Sequence, residues 1–140
     1  MSFVIDASVA GAWLLPDEEN ESAADLMDRL ADEDALAPDL LRHEIRNIML
    51  SAEKRGRIDG DLVHVALARF SALPIELVSQ DSDVEIVRVA RHYRLSAYDA
   101  AYLALALLKN APLATFDRKL ADAARAEGVT VLGPFKQESL

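Results

Sequence analysis

Five short apolar runs, at residues 3–5, 35–37, 75–78, 113–116 and 129–132, alternate along this chain with stretches of helical character. Runs separated by helical segments cannot pair as hairpins, so the alternation predicts an α/β fold: a parallel sheet of five strands covered by helices. The run at 35–37 is the weakest of the five. Helices are predicted at 9–15, stopped by Pro16, and at 21–32, 39–54, 60–73, 84–93, 97–109 and 118–127, with Gly56 and Gly128 closing the third and the last. No linker, repeat or low-complexity tract interrupts the pattern. At 140 residues the expectation is one domain over 1–140, large enough to bury a core without staples.

Composition removes several kinds of chemistry. Cysteine is absent, which excludes disulfide frameworks, thiol catalysis and Cys-ligated zinc and suits a reducing compartment. His43, His64 and His92 are scattered singly, so a zinc enzyme is not expected, and His43 falls on the solvent face of its helix. The first apolar run is too short for a signal peptide and lacks a basic leader, and residues 100–108 are too few to span a bilayer. The chain therefore reads as cytoplasmic, with no membrane partner. A net charge of -9 argues against unaided binding to a phosphate backbone, which needs clustered Lys and Arg. Nucleic acid would require metal ions or a local basic strip, and a basic protein partner fits more easily.

Two helices break their own pattern. In PDLLRHEIRNIMLSAEK the apolar face is Leu40, Leu41, Ile45, Ile48, Met49 and Ala52, and Glu44 lies four residues from both Leu40 and Ile48, inside that stripe. A carboxylate there should be partly buried, with Asn47 three residues on. In LSAYDAAYLALALLKN nearly every position is apolar, as in a helix buried all round, yet Asp99 stands in its first turn. A buried carboxylate needs compensation.

In a parallel sheet every strand points its carboxyl end to one edge, and the helices that follow the strands start there. Asp6 ends the first strand, Asp117 ends the fourth, Asp99 opens the helix leading back to the fourth, and Glu44 lies in the second turn of the helix after the second. All four converge on the edge where open α/β sheets bind ligands. Each has an ordinary alternative: Asp6 and Asp117 could be helix caps, Ser96 to Asp99 resembles a capping box, and Glu44 could sit on a misjudged face. Together, four acids at one edge repel one another, and a hard divalent cation with oxygen ligands is the simplest compensation. Ser8 and Thr115 flank the strand-end acids and could bond a carboxylate, Asn47 could orient Glu44, and Arg42, Arg46, Arg118 and Lys119 could hold phosphates.

The segments FVIDASV, LLRHEIRNIM, LSAYDAAYLALA and LATFD resemble the successive motifs of PIN-domain proteins, specifically VapC-type toxins. The likeness covers essentially the whole chain in the right order, and the YDAAYLALA and TFD pair is its most specific part. It implies a PIN-like three-layer fold with a five-stranded parallel sheet flanked by helices. It also implies a Mg2+- or Mn2+-dependent endoribonuclease toxin that hydrolyses RNA to 3′-hydroxyl and 5′-phosphate ends, is neutralised by a cognate antitoxin, and forms a homodimer. The family's acidic quartet maps onto Asp6, Glu44, Asp99 and Asp117, as metal ligands and catalytic residues, with Thr115 matching its frequent hydroxyl before the last acid.

Rival readings fail or stand at named positions. A phosphotransfer receiver domain wants an acceptor Asp at the end of the third strand, where this chain has Val78-Ser79-Gln80. A haloacid-dehalogenase-type phosphatase wants an acid two residues after Asp6, where Ser8 stands. A non-catalytic module that keeps its acids to dock a basic partner remains open.

Overall fold

The structure, a computed structural model, describes residues 1–16, 20–79 and 82–135. Five strands, β1 (Ser2–Ile5), β2 (Asp34–Pro38), β3 (Ile75–Val78), β4 (Leu113–Ala114) and β5 (Val131–Leu132), form one sheet in the order β3-β2-β1-β4-β5. Every pairing is parallel, with Phe3 opposite Ala35 and Ile5 opposite Ala114. The chain builds outward from β1 to β3, then returns to β4 on the other side of β1. The order reverses between β1 and β4, and the carboxyl ends of those two strands flank the crevice where such sheets take ligands.

Seven α-helices are described: α1 (Ala7–Leu14), α2 (Glu21–Asp28), α3 (Leu40–Lys54), α4 (Gly60–Ala72), α5 (Asp83–Tyr93), α6 (Ala97–Lys109) and α7 (Arg118–Ala126). Helices α1 to α4 pack on one another, as do α5 to α7, and α6 lies against β1, β2 and β4. Right-handed crossovers put these two groups on opposite faces of the sheet, which gives three layers. The central position of α6 explains its composition: residues 100–106 are all buried, and only its ends reach solvent. Phe3, Val4 and Ile5 in the middle strand are fully buried, as are Leu41, Ile45 and Met49 along the inner stripe of α3.

Boundaries differ from the sequence expectation for identifiable reasons. The helix expected over 21–32 is α-helical only to Asp28 and then tightens into a 3-10 turn, Arg29–Ala31, before entering β2; acids at 28 and 32 sit badly at the negative end of a helix. The fourth strand, expected over 113–116, stops at Ala114, and the next donor on its β1 side, Phe116 N, is taken by Ser8 Oγ at 2.9 Å. The last strand starts at Val131, since Val129 N still bonds Ala124 O in the exit from α7. The weak second strand is the longest, paired on both sides by β1 and β3. At the end of the third strand, Ser79 is exposed and Gln80 lies outside the described residues. No described helix is long and apolar enough to cross a membrane.

Candidate active site

Asp6 follows the last residue of β1 and caps α1, its Oδ1 accepting the Val9 N–H at 3.1 Å. The cap is only part of its role. Ser8 Oγ donates to the same oxygen at 2.6 Å, and Thr115 Oγ1, just beyond β4, donates to Oδ2 at 2.5 Å. Thr115 is itself fully buried and accepts the Asp117 N–H at 2.9 Å. The two hydroxyls thus stitch β1 to β4 across the crevice. Asp6 is 4% exposed, and burial pushes its carboxyl up to about 6, against the opposing pull of Ser8, Thr115 and Val9 N and with a small further push from Asp99.

The other three acids are linked to Asp6 by electrostatic reach, through Asp99. Glu44, half-buried in the second turn of α3, accepts a hydrogen bond at 2.6 Å from the Tyr102 hydroxyl. Burial raises its pKa, the tyrosine lowers it, and Asp99 raises it again. Asp99, also half-buried, has its N–H capped by Ser96 Oγ at 3.1 Å. Its pKa is raised by burial and by Asp117, and lowered by Ser96 and Lys119. Asp117 caps α7 through Oδ1 alone, which accepts from Lys119 N at 2.9 Å and Leu120 N at 3.2 Å. Asp99 is therefore the hub: it is felt by Asp6 and Glu44 and itself feels Asp117.

The supporting expectations divide. Ser8 and Thr115 bond Asp6 as expected. Asn47 does not serve Glu44: it is exposed on α3 and makes no hydrogen bond to that carboxylate. Tyr102 fills the place instead, a residue the sequence reading passed over as one more large side chain in a buried helix. Its only signal was polarity within an aliphatic run, three residues after Asp99. Burial, and then the bond to Glu44, raise its hydroxyl pKa far above the ordinary range.

The basic residues near the acids are mostly occupied elsewhere. Arg42 lies over the Phe70 ring, 5.3 Å from its centroid, and donates to Ser71 Oγ at 3.2 Å. Arg118 stacks over Phe135 at 4.8 Å, and Lys119 Nζ donates to the Arg94 carbonyl at 2.5 Å. Arg46 and His43 are exposed. The expected metal site is also less closed than four converging acids suggested. Among the described residues, no three His, Asp or Glu side chains stand close enough to hold one metal ion.

Fold and site together define an α/β protein whose carboxylates collect at the switch point of a parallel sheet. The sequence profile of the PIN domain matches residues 3–126, and the chain belongs to that family. It is 29% identical over 126 residues to Ribonuclease VapC3 of Pyrobaculum aerophilum, covering 87% of this chain and 94% of that protein. The crystal structure of PAE2754 from Pyrobaculum aerophilum superposes with a TM-score of 0.70 at 22% identity, over 94% of this chain and 92% of that one. VapBC2 from Rickettsia felis, bound to a DNA fragment from its promoter, gives 0.67 at 11% identity, over 94% and 97%.

Proposed function

We propose that this chain is a metal-dependent endoribonuclease, the toxin of a toxin-antitoxin pair, working through Asp6, Glu44, Asp99 and Asp117 with Mg2+ or Mn2+ as its ion. The observation that carries the reading is the buried Asp6 carboxylate, oriented by Ser8 and Thr115 at the β1/β4 crevice with Asp99 in electrostatic reach. The likeness to a VapC ribonuclease supports the substrate class, and the likeness to a VapBC assembly supports the partner class. RNA as substrate sets the cytoplasm as the place of action, and the reading takes 1–140 as a single PIN domain.

The donor set suits a hard cation. All four groups offer carboxylate oxygen, and three of them are pushed toward protonation by burial and by one another, so added positive charge is favourable there. Asp6, Asp99 and Glu44 would hold the ion after drawing closer together than they stand here, with Asp117 contributing the oxygen its cap leaves free. The bound ion supplies Lewis-acid activation of water and neutralises charge at the phosphate. The chain's own part is positional. Ser8, Thr115 and Val9 N fix the Asp6 carboxylate plane, Tyr102 fixes Glu44, and Ser96 fixes the turn from which Asp99 projects. A basic antitoxin segment suits the same acids, a guanidinium replacing the cation charge.

The test is RNA cleavage by the purified protein in Mg2+ or Mn2+ and in chelator, for wild type, Asp6→Asn and Asp99→Asn. Wild type should cleave only with the ion, each variant should lose most of that activity, and the product of the neighbouring gene should suppress it. Cleavage that persists in both variants would overturn the reading. A second reading, an acidic docking module without catalysis, is favoured by the lack of a closed ligand set among the described residues. It is the outcome if wild type, with ion, leaves RNA intact.

A further inference from the structure

One aromatic ring stands apart from the others. Among the Phe, Trp and Tyr side chains of the described residues only that of Tyr98 is exposed, at 62%. Phe3 and Tyr102 are fully buried, Trp13 and Phe70 nearly so, and Tyr93, Phe116 and Phe135 are partly covered. Tyr98 makes no hydrogen bond and no ring contact among the described residues. A solitary exposed ring is ordinary on a protein surface; the place of this one is not. It lies in the first turn of α6, at the carboxyl edge of the sheet, immediately before Asp99. Tyr102 is four residues on, and helical side chains at that spacing share one face and lean toward the helix N-terminus. The Tyr102 hydroxyl reaches Glu44 at 2.6 Å, so Tyr98 stands on the side of α6 that faces Glu44, one turn nearer the open edge.

We propose that the Tyr98 ring is the stacking platform for a base of single-stranded RNA beside the phosphate that is cut. The inference rests on the nuclease reading above and adds to it the group that holds the nucleotide. An acidic site on a chain of net charge -9 repels a phosphate backbone. Arg42, Arg118 and Lys119 are engaged with Phe70, Phe135 and the Arg94 carbonyl. Hold on the substrate therefore has to come largely from contacts indifferent to charge, and stacking of a base on an aromatic face is one. A base and its own phosphate are joined through one sugar, so a phosphate held at Asp99 brings a flanking base to the ring of the adjacent residue. Every base has a π-face, so the contact selects unpaired RNA over duplex rather than one sequence over another. A basic protein segment has its own place among the carboxylates and needs no ring beside them.

The test couples the ring to a base. Binding of a labelled short single-stranded RNA of mixed sequence is followed by fluorescence anisotropy with Ca2+ in place of Mg2+, gels showing that the RNA stays intact. It is repeated with RNAs that carry an abasic residue at each position in turn. One abasic position should weaken wild-type binding about tenfold, and Tyr98→Ala should bind intact RNA about tenfold more weakly while being indifferent to that position. Tyr98→Phe and Tyr98→Trp keep a stacking face and should bind as wild type does, a rescue that a role for the hydroxyl would not show. In Mg2+, Tyr98→Ala should act on KM more than on kcat. The inference is overturned if wild type binds no RNA, if Tyr98→Ala binds intact RNA as tightly as wild type, or if the abasic penalty is the same in both proteins. Weaker binding of the neighbouring gene's product alone would then give the ring to a protein contact. Cleavage by wild type in Mg2+ is scored separately. RNA that binds through Tyr98 and is never cut would sink the nuclease reading and keep the stacking site, whereas cleavage without the coupling would do the reverse.

Discussion

The Tyr102 hydroxyl donates to Glu44 Oε1 at 2.6 Å, joining α6 to α3 across 58 positions of sequence. Tyr102 is fully buried in α6, so its ring is fixed by packing while its single polar atom holds a carboxylate at the edge of the core. A phenylalanine keeps the ring and removes only that bond. Tyr102→Phe should therefore cost about 1 kcal/mol, the usual net value of one such hydrogen bond, seen as a small fall in melting temperature. Because the bond favours ionised Glu44, losing it should also raise the Glu44 pKa, measurable by carboxyl NMR titration in chelator. An unchanged titration would mean that the bond does not hold Glu44.

Asp6 makes a prediction about pH. Its folded pKa, about 6, lies above the ordinary aspartate value of 3.8, so the fold prefers the protonated acid. The associated stability is complete below the unfolded pKa and is lost as pH rises through the folded one, a window from about pH 4 to pH 6. A rise of that size corresponds to about 3 kcal/mol. Burial is the first cause, and Asp6 is too little exposed for solvent to screen the effect. In chelator, Asp6→Asn should be more stable than wild type at pH 7 by up to that amount. The difference should shrink toward pH 4, because there wild type is protonated too. Urea melts at pH 4, 5, 6 and 7 measure it, and a difference independent of pH would refute the buried-carboxylate account.

Two glycines should respond with opposite signs to the same substitution. Gly11 lies inside α1, where an added Cβ would meet only Ile48 methyl groups at 3.7 Å, an ordinary contact. Gly11→Ala should stabilise by about 0.5–1 kcal/mol through helix propensity. Gly133 has φ of 135°, and an added Cβ would stand 2.6 Å from the Thr115 carbonyl oxygen. Gly133→Ala should destabilise by about 2 kcal/mol or more, combining backbone strain with a clash against main chain. Any shift of Thr115 also disturbs its bond to Asp6, so this variant should lose activity where Gly11→Ala does not. Thermal melts and RNA cleavage on the pair provide the check.

The acids were legible in the sequence because topology alone places them. A strand end and a helix start in a parallel sheet share one edge, so Asp6, Asp99 and Asp117 could be brought together without knowing any side-chain contact. Glu44 was legible as a charge within an apolar stripe, and its half-burial agrees. What failed depended on where side chains point. Arg42, Arg118 and Lys119 stand close to acids in sequence, yet packing directs them to Phe70, Phe135 and the Arg94 carbonyl. Asn47 and Tyr102 exchanged the role of partner to Glu44 for the same reason: the position three residues on from Glu44 turns to solvent, whereas α6 passes close by. The fourth strand came out short, and the next donor on its β1 side goes to a hydroxyl of α1, a contact across 108 residues that periodicity cannot register.

Asp99 is the one acid felt by both Asp6 and Glu44, and it feels Asp117 in turn, so removing its charge should act on the whole cluster. Without cation, Asp99→Asn relieves the repulsion that raises its neighbours and should leave the protein as stable as wild type or more so. With cation the order should reverse. A site that binds Mn2+ in the folded state alone gains RT ln(1 + [L]/Kd), about 2.7 kcal/mol at a hundredfold excess over Kd. Wild type should follow that curve as Mn2+ is raised. Asp99→Asn, short of a ligand and with a weakened field at Asp6 and Glu44, should gain much less at every concentration. Leu108→Ala, a surface variant remote from the acids, should shift as wild type does. Melting temperatures of the three proteins, in chelator and across a millimolar Mn2+ series, separate the possibilities without any RNA present. Equal shifts in wild type and Asp99→Asn would remove the ion from this site and leave the carboxylates as helix caps and docking charges.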